Sequence, residues 1–307
     1  MNGVDPAYTQ KTKDAGENVK THLINGGLSD ATFRYQGSVM TNTHIKGYSD
    51  IDLLTISEKF YQYDFWDVRS LLNDSIKQRQ YDSSQIEKVR YEDQLTKYQG
   101  DSLGDLKKLR TDCEEILKSK YSNCDTSKPK SIKIRNLNLN REVDIVIANW
   151  YDDIISIVNN KGNNRGIQIY NKDDNSRGKI DFPSISIDRI NNKSSTTGGR
   201  LKKMIRFLKN LKGKSTLSIE LSSFEINAIC YDINQATYST LIFHQLVPVL
   251  YQQLTRLSLN QSAAESLVSV DGREYIFLGK PNKLRSLQNL MTEIESILND
   301  LKTYYIL

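Results

Sequence analysis

The stretch Asp50-Ile51-Asp52-Leu53-Leu54-Thr55-Ile56 sets two carboxylates, one residue apart, at the head of an apolar run. Successive side chains on a strand point to opposite faces, so Asp50 and Asp52 share one face while Ile51 and Leu53 turn into a core. Two adjacent carboxylates repel unless a cation stands between them. A hard divalent ion such as magnesium, which takes oxygen ligands and keeps sites open for phosphates, meets that need. The pattern therefore predicts a strand over Ile51–Ile56 with an acidic edge.

Working outward, Ala31 to Gln36 alternates Phe33 and Tyr35 and predicts a preceding strand, followed by Gly37-Ser38. Ser38 lies twelve residues ahead of Asp50. Glycine lets a backbone approach a phosphate closely, and the amides and hydroxyl that follow can donate to it. Much later, Val143-Asp144-Ile145-Val146-Ile147 carries a single carboxylate among branched apolar neighbours, where burial is costly without a partner. If this strand pairs beside the first, three aspartates converge. Three aspartates suit a two-metal arrangement for nucleotidyl transfer, with one ion on the triphosphate and one lowering the pKa of an attacking hydroxyl.

Between these strands, Phe65 to Tyr121 reads as polar helices, closed by Lys128-Pro129-Lys130. Ser131 to Arg135 and Val143 to Asn149 predict paired strands, and Ile167 to Tyr170 another. An N-terminal helix is expected from Ala15 to Leu23, stopped at Gly26-Gly27, after a frayed first dozen residues. Asn171 to Gly199 reads as an Asn/Ser/Gly-rich loop. Beyond it Leu201, Met204, Ile205, Leu208 and Leu211 follow the spacing of a buried helical face. Further helices are expected over Ile219–Cys230, Thr237–Leu257 (kinked at Pro248) and Leu284–Leu301, with a tight turn at Asp271-Gly272. Arg200, Lys202, Lys203, Arg206, Lys209, Lys212 and Lys214 fall within fifteen residues with no acid among them.

Apolar residues are 38% of the 307 and charged residues 26%, as in globular proteins. No apolar run approaches a membrane span, no signal core opens the chain, and a cytoplasmic protein without membrane attachment is expected. Three cysteines and three histidines cannot furnish a disulfide framework, a zinc cluster or a histidine-based catalytic set. The net charge of +5 suits a protein handling anions but does not mark a nucleic-acid binder.

The ordered set Gly37-Ser38, Asp50-Ile51-Asp52 and Val143-Asp144-Ile145-Val146 resembles the signature of the polymerase-β-like nucleotidyltransferase superfamily. The run Asn191 to Lys212, followed by Leu221-Ser222-Ser223-Phe224-Glu225-Ile226, resembles the C-terminal core of the bacterial cGAS/DncV-like nucleotidyltransferases. The likeness covers roughly residues 15 to 300. It implies an α+β fold: a polymerase-β-like nucleotidyltransferase lobe over 1–190, a mixed twisted sheet flanked by helices, packed against a helical nucleotide-binding lobe over 191–307. It implies two Mg2+ ions, with Mn2+ as substitute, on Asp50, Asp52 and Asp144. Gly37 and Ser38 would contact the triphosphate, Arg200 and Lys203 the outer phosphates with Lys202 as the competing choice, and Ser223 a further phosphate. Phe224, where relatives often place Tyr, would stack on the donor base. The implied activity joins nucleoside triphosphates into a cyclic di- or oligonucleotide messenger for antiphage signalling, acting through a downstream effector that takes the nucleotide product, with room for a regulatory protein partner. The zinc-binding insertion of cGAS is absent, so DNA binding is not expected.

Plainer readings stand beside these. The aspartates read alternatively as turn caps or partnered core groups, the basic helix as a solvated face, Phe224 as core, His44 as a surface-loop residue, and Lys128 to Lys133 as a solvated strand entry. Asn149 reads either as a base-reading group or as a strand end. Two other functions fit the same acids: a nucleotidyltransferase acting on a protein, an RNA end or a small molecule, and a non-catalytic nucleotide sensor.

Overall fold

The computed structural model describes residues 3–47 and 50–305. Contacts divide the chain into two units: Ala7–Gly37 with Asp50–Ile185, and Met1–Pro6 with Ser38–Ser49 and Ser186–Leu307.

The first unit is built on a mixed sheet, seven-stranded among the described residues. Its elements in chain order are α1 (Pro6–Asn25), β1 (Ala31–Gln36), β2 (Ile51–Tyr63), α2 (Phe65–Leu72), α3 (Ser75–Gln78), α4 (Ser83–Gln94), α5 (Ser102–Lys120), β3 (Cys124–Asp125), β4 (Ile132–Asn136), β5 (Arg141–Asp152), α6 (Ile154–Val158), β6 (Gly166–Asn171) and β7 (Ser176–Asp181). The order β1-β2-β5-β4-β3 puts β2 and β5 in the middle, parallel to each other, with β6 continuing from β5 and β7 from β6. Both faces of the central pair are covered, so its strands are apolar nearly throughout rather than alternating. Ile51, Leu53, Val143 and Ile145 are fully buried, and Leu54, Ile56, Val146 and Ala148 form a second cluster with Trp150 and Ile167. Gly16 of α1 lies so close to Tyr35 that a Cβ there would sit 2.8 Å from its ring. A satellite core joins Val68, Leu71, Ile86, Val89, Ile157 and Val158.

The long polar block is helical, as expected, but it is cut into four pieces by aspartate N-caps: Asp64, Asp74, Asp82 and Asp101 each accept from amides in the following turn. Gly27, with φ +99°, ends the turn after α1. Three expectations for this unit need correction. The stretch read as frayed is helical from Pro6, with Thr12 buried, while Met1 and Asn2 lie outside the described residues. The strand over Ile51–Ile56 runs on to Tyr63, past a register shift between Ser57 and Tyr61. The region read as a loop from Asn171 contains β7, an edge strand whose polar residues face no core and so leave no alternation to detect.

The rest of that supposed loop is α7 (Pro183–Thr196), in whose sequence the unit boundary falls. Proline opens it at the position where a missing N–H costs nothing. Its Ser, Asn and Thr residues favour non-helical conformations in isolation, so the buried Ile190 and Ser194 mark the packing that overrides propensity.

The second unit is helical: α8 (Arg200–Lys214), α9 (Ser223–Asp232), α10 (Leu246–Leu259), α11 (Gln261–Glu265) and α12 (Pro281–Tyr305). Leu201, Met204, Ile205 and Leu208 of α8 enter a core shared with Ile226, Ile229, Leu250, Leu254, Leu287, Leu290 and Ile294. Helix α9 starts later than expected, because Ser222 and Glu225 form a capping box and leave Ile219–Leu221 non-helical. Pro248 does not kink a long helix. It lies in the first turn of α10, where no intrahelical bond is lost, and the chain before it makes short 3-10 turns. Gly272, with φ +79°, makes the expected turn between Val268 and Tyr275, which form a bridge. Among the described residues no helix is long and apolar enough to cross a membrane.

Candidate functional site

The sheet brings the three predicted aspartates to one end of its central pair. Asp52 stands directly opposite Asp144 in the parallel register of β2 and β5, and Asp50 immediately precedes β2. The apolar neighbours on each strand hold this register, since a one-residue slip would turn Asp52 into the core and Ile51 out of it. Gly37 ends β1 with φ +82°, and a Cβ at that position would lie 2.4 Å from Asp52 Oδ2. A larger residue would be strained by that backbone conformation, and its Cβ would force the Asp52 carboxylate to shift.

Burial, reinforced by Asp144 and Asp50, pushes the Asp52 carboxyl up to about 7, against the opposing pull of Lys133. Burial likewise raises Asp144. Asp144 Oδ1 is buried without a hydrogen bond, its nearest cation being Lys128 Nζ at 3.9 Å. Lys133 Nζ reaches Asp50 Oδ2 at 2.6 Å, Glu142 Oε2 at 2.7 Å and Asp144 Oδ2 at 4.0 Å. Lys133 is thus no solvated strand entry: it stands opposite Asp144 in the antiparallel β4–β5 ladder and bridges the acids. Among the described residues no three metal-ligating side chains are drawn into one ready ligand set. The donor chemistry still fits a divalent cation, being all oxygen, partly desolvated and short of one hydrogen bond at Asp144.

In the helical unit, Ser38 opens a single turn. Its carbonyl accepts from Thr43 N at 2.9 Å, Asn42 N donates to Val39 O at 3.2 Å, and Asn42 takes the left-handed conformation that closes such turns. The carbonyls at the turn's end are held by α8: Arg206 Nη1 donates to Asn42 O at 2.6 Å and Lys209 Nζ to Thr43 O at 3.0 Å. Both cations are 7% exposed, and burial with Lys212 nearby lowers Lys209 to about 8. Neither is a solvated face residue. His44 follows this turn and is fully buried, so it is not a surface-loop residue.

Arg200, at the start of α8, donates through Nε to Leu241 O at 2.6 Å and through Nη1 to Thr197 O at 3.2 Å. Lys202 and Lys203 are half-buried, and their ammonium groups have no partner among the described residues. Burial, then Arg206, lowers Lys202. Ser223 is exposed and lines a small cavity of about 160 Å³ with Lys209, Lys212, Leu221 and Ile45. Phe224 is half-buried against the helical core. Asn149 is fully buried in β5 and donates to Trp150 O at 2.8 Å, a strand-internal role rather than a strand end or an open base-reading position.

Residues 188–299 match the cGAS/DncV-like nucleotidyltransferase C-terminal helical domain. A c-di-GMP synthase of Capnocytophaga granulosa is 51% identical over 99% of this chain and 86% of its own length. A c-di-GMP synthase of a Lachnospiraceae bacterium is 47% identical over 98% of this chain and 86% of its own. The solved structure of a STING-associated CdnE c-di-GMP synthase from Flavobacteriaceae sp. superposes with a TM-score of 0.89 at 37% identity, covering 97% of this chain and 84% of that one.

Proposed function

The chain belongs to the cGAS/DncV-like nucleotidyltransferase family, and from that premise we propose that it is an enzyme making a cyclic dinucleotide, c-di-GMP, from two molecules of GTP. The observation that carries the chemistry is the register setting Asp52 opposite Asp144 with Asp50 one step away. The dinucleotide rather than a larger ring, and guanine rather than another base, rest on the named product of relatives 51% and 47% identical over nearly the whole chain.

In this reading residues 1–190 form the catalytic lobe and 191–307 the nucleotide-binding lobe. Asp50, Asp52 and Asp144 hold divalent cations, Mg2+ with Mn2+ as substitute. Such ions, when bound, neutralise phosphate charge and lower the pKa of the attacking ribose hydroxyl. Gly37 keeps the chain close to the Asp52 carboxylate without a clash, and the turn opened by Ser38 offers its hydroxyl and amides to the donor triphosphate. Arg200 is bonded to two carbonyls, so Lys202 and Lys203, without a partner among the described residues, are placed to pair with phosphate oxygens, joined by Ser223. Phe224 packs against the donor base. Asp144 orients the acceptor hydroxyl, whose oxygen attacks the α-phosphorus as the bond to pyrophosphate breaks. A second such transfer closes the ring, and two pyrophosphates leave in all. Catalysis of this kind rests on positioning and on preorganised charge.

We also place the enzyme in the cytoplasm, where its free cysteines stay reduced, acting in antiphage signalling through an effector that reads its product. The STING association of the solved relative supports such an effector. The test is incubation with labelled GTP and Mg2+, phosphatase treatment, and mass spectrometry. A phosphatase-resistant c-di-GMP that disappears in Asp50→Ala/Asp52→Ala is expected. Label on a macromolecule, or a cyclic product only from other nucleotides, would overturn the assignment.

A further inference from the structure

We propose that Lys133 is a tethered counter-cation: it holds the acidic end of the sheet together when no divalent ion is bound and retreats to Glu142 when one is. The inference rests on reading Asp50, Asp52 and Asp144 as metal ligands.

Four carboxylates, Asp50, Asp52, Glu142 and Asp144, gather around β2 and β5. Left alone they would repel one another, and β2–β5 pairing would bear the strain. Lys133 is placed by strand register to prevent this. It is the direct cross-strand partner of Asp144, and Glu142 lies two residues before Asp144 on the same face of β5. Its ammonium sits at hydrogen-bond distance from both Asp50 (2.6 Å) and Glu142 (2.7 Å), with Asp144 at 4.0 Å.

A divalent ion on Asp50 must compete for the oxygen that Lys133 holds. The second partner makes that exchange feasible, because the ammonium can give up Asp50 and stay paired with Glu142, 38% exposed at the rim. Glu142 has no role in the metal reading, and its shown partner is Lys133. Lys133 is therefore a positioning residue that acts on the metal ligands.

The test is Mn2+ binding to the intact protein with a non-hydrolysable GTP analogue, followed by the paramagnetic signal of free Mn2+, alongside melting of the metal-free protein. Lys133→Met is expected to lower the metal-free melting temperature yet tighten Mn2+ binding by roughly an order of magnitude, the scale of one nearby charge. Lys133→Arg should restore the melting temperature and loosen the metal again. Glu142→Gln should weaken Mn2+ binding, and should have no such effect once Lys133 is already Met. A purely structural lysine would lower melting without tightening the metal. Mn2+ affinity unchanged or weaker in Lys133→Met, or unweakened in Glu142→Gln, would overturn this inference alone. A wild-type protein that binds no Mn2+ would overturn it together with the metal reading.

Discussion

The acidic end of the sheet and the basic face of α8 each gather like charges that water would ordinarily keep apart, yet they balance them differently. At the sheet the balance is ionic: Lys133 and Lys128 stand among the aspartates. On α8 the contacts shown for the buried cations are to backbone carbonyls. Arg206 and Lys209 are buried against the carbonyls of Asn42 and Thr43, while Lys202 and Lys203 have no partner among the described residues. The first arrangement suits a site that exchanges one cation for another. The second suits a surface whose neutralisation is left to an incoming anion, with two of its cations spent on shaping the turn that Ser38 opens.

The strongest blow to this contrast would fall on the carboxylates. Asp52→Asn or Asp144→Asn should cut c-di-GMP formation by about 10²–10³-fold or more, the scale on which preorganised charge acts. Activity within tenfold of wild type would break the acidic half of the comparison. Gly37→Ala should come next: positive φ costs a non-glycine residue about 1–3 kcal/mol, before the approach to Asp52 is counted. Chemical denaturation would register that loss, and an unchanged midpoint would show that the β1–β2 corner relaxes freely. Arg206→Met leaves a carbonyl unpaired and should cost about 1–3 kcal/mol while exposing residues 38–47 to proteolysis. Uncut protein of wild-type stability would return Arg206 to the solvated face.

The smallest effects sharpen the comparison through pH. Asp52 rises from 3.8 in the unfolded chain to about 7 in the fold. The folded state therefore holds a proton that the unfolded state has lost, and metal-free stability from this group falls as pH climbs through that window. Asp52→Asn should flatten that slope in a melting series. Lys209 falls from 10.5 to about 8, so between these values the unfolded chain binds more protons and stability rises with pH. Lys209→Met should abolish the rise. Slopes of the same sign in the two windows would deny that the regions oppose each other.

What could be read from residues alone follows from where each signal lives. The strands around Asp52 and Asp144 declare themselves because a carboxylate in a branched apolar run has few explanations, and the apolar stripe of α8 has the helical period. The polar β7 and the Ser/Asn-rich α7 carry no core-facing pattern, so composition pointed to a loop. Lys133 was hidden for another reason. Its meaning depends on strand register, which sets it opposite Asp144 and beside Glu142 only once β4 and β5 pair. Arg206 and Lys209 were hidden most completely, because backbone carbonyls leave no mark in a sequence. For Arg200 the phosphate role came from the family likeness, while the fold adds what a sequence does not carry: its guanidinium is bonded to the carbonyls of Leu241 and Thr197.

The turn opened by Ser38 also bears on how the chain can be divided. Residues 38–49 group with the helical unit although the chain on either side belongs to the sheet unit. No single cut therefore yields two intact halves. A fragment beginning near residue 188 would keep every helix from α8 onward yet strand two cations, Arg206 and Lys209, without their carbonyls. Its hydrophobic core would be whole while its charge would not, and such a fragment should gain stability when the missing dozen residues are supplied as a separate peptide.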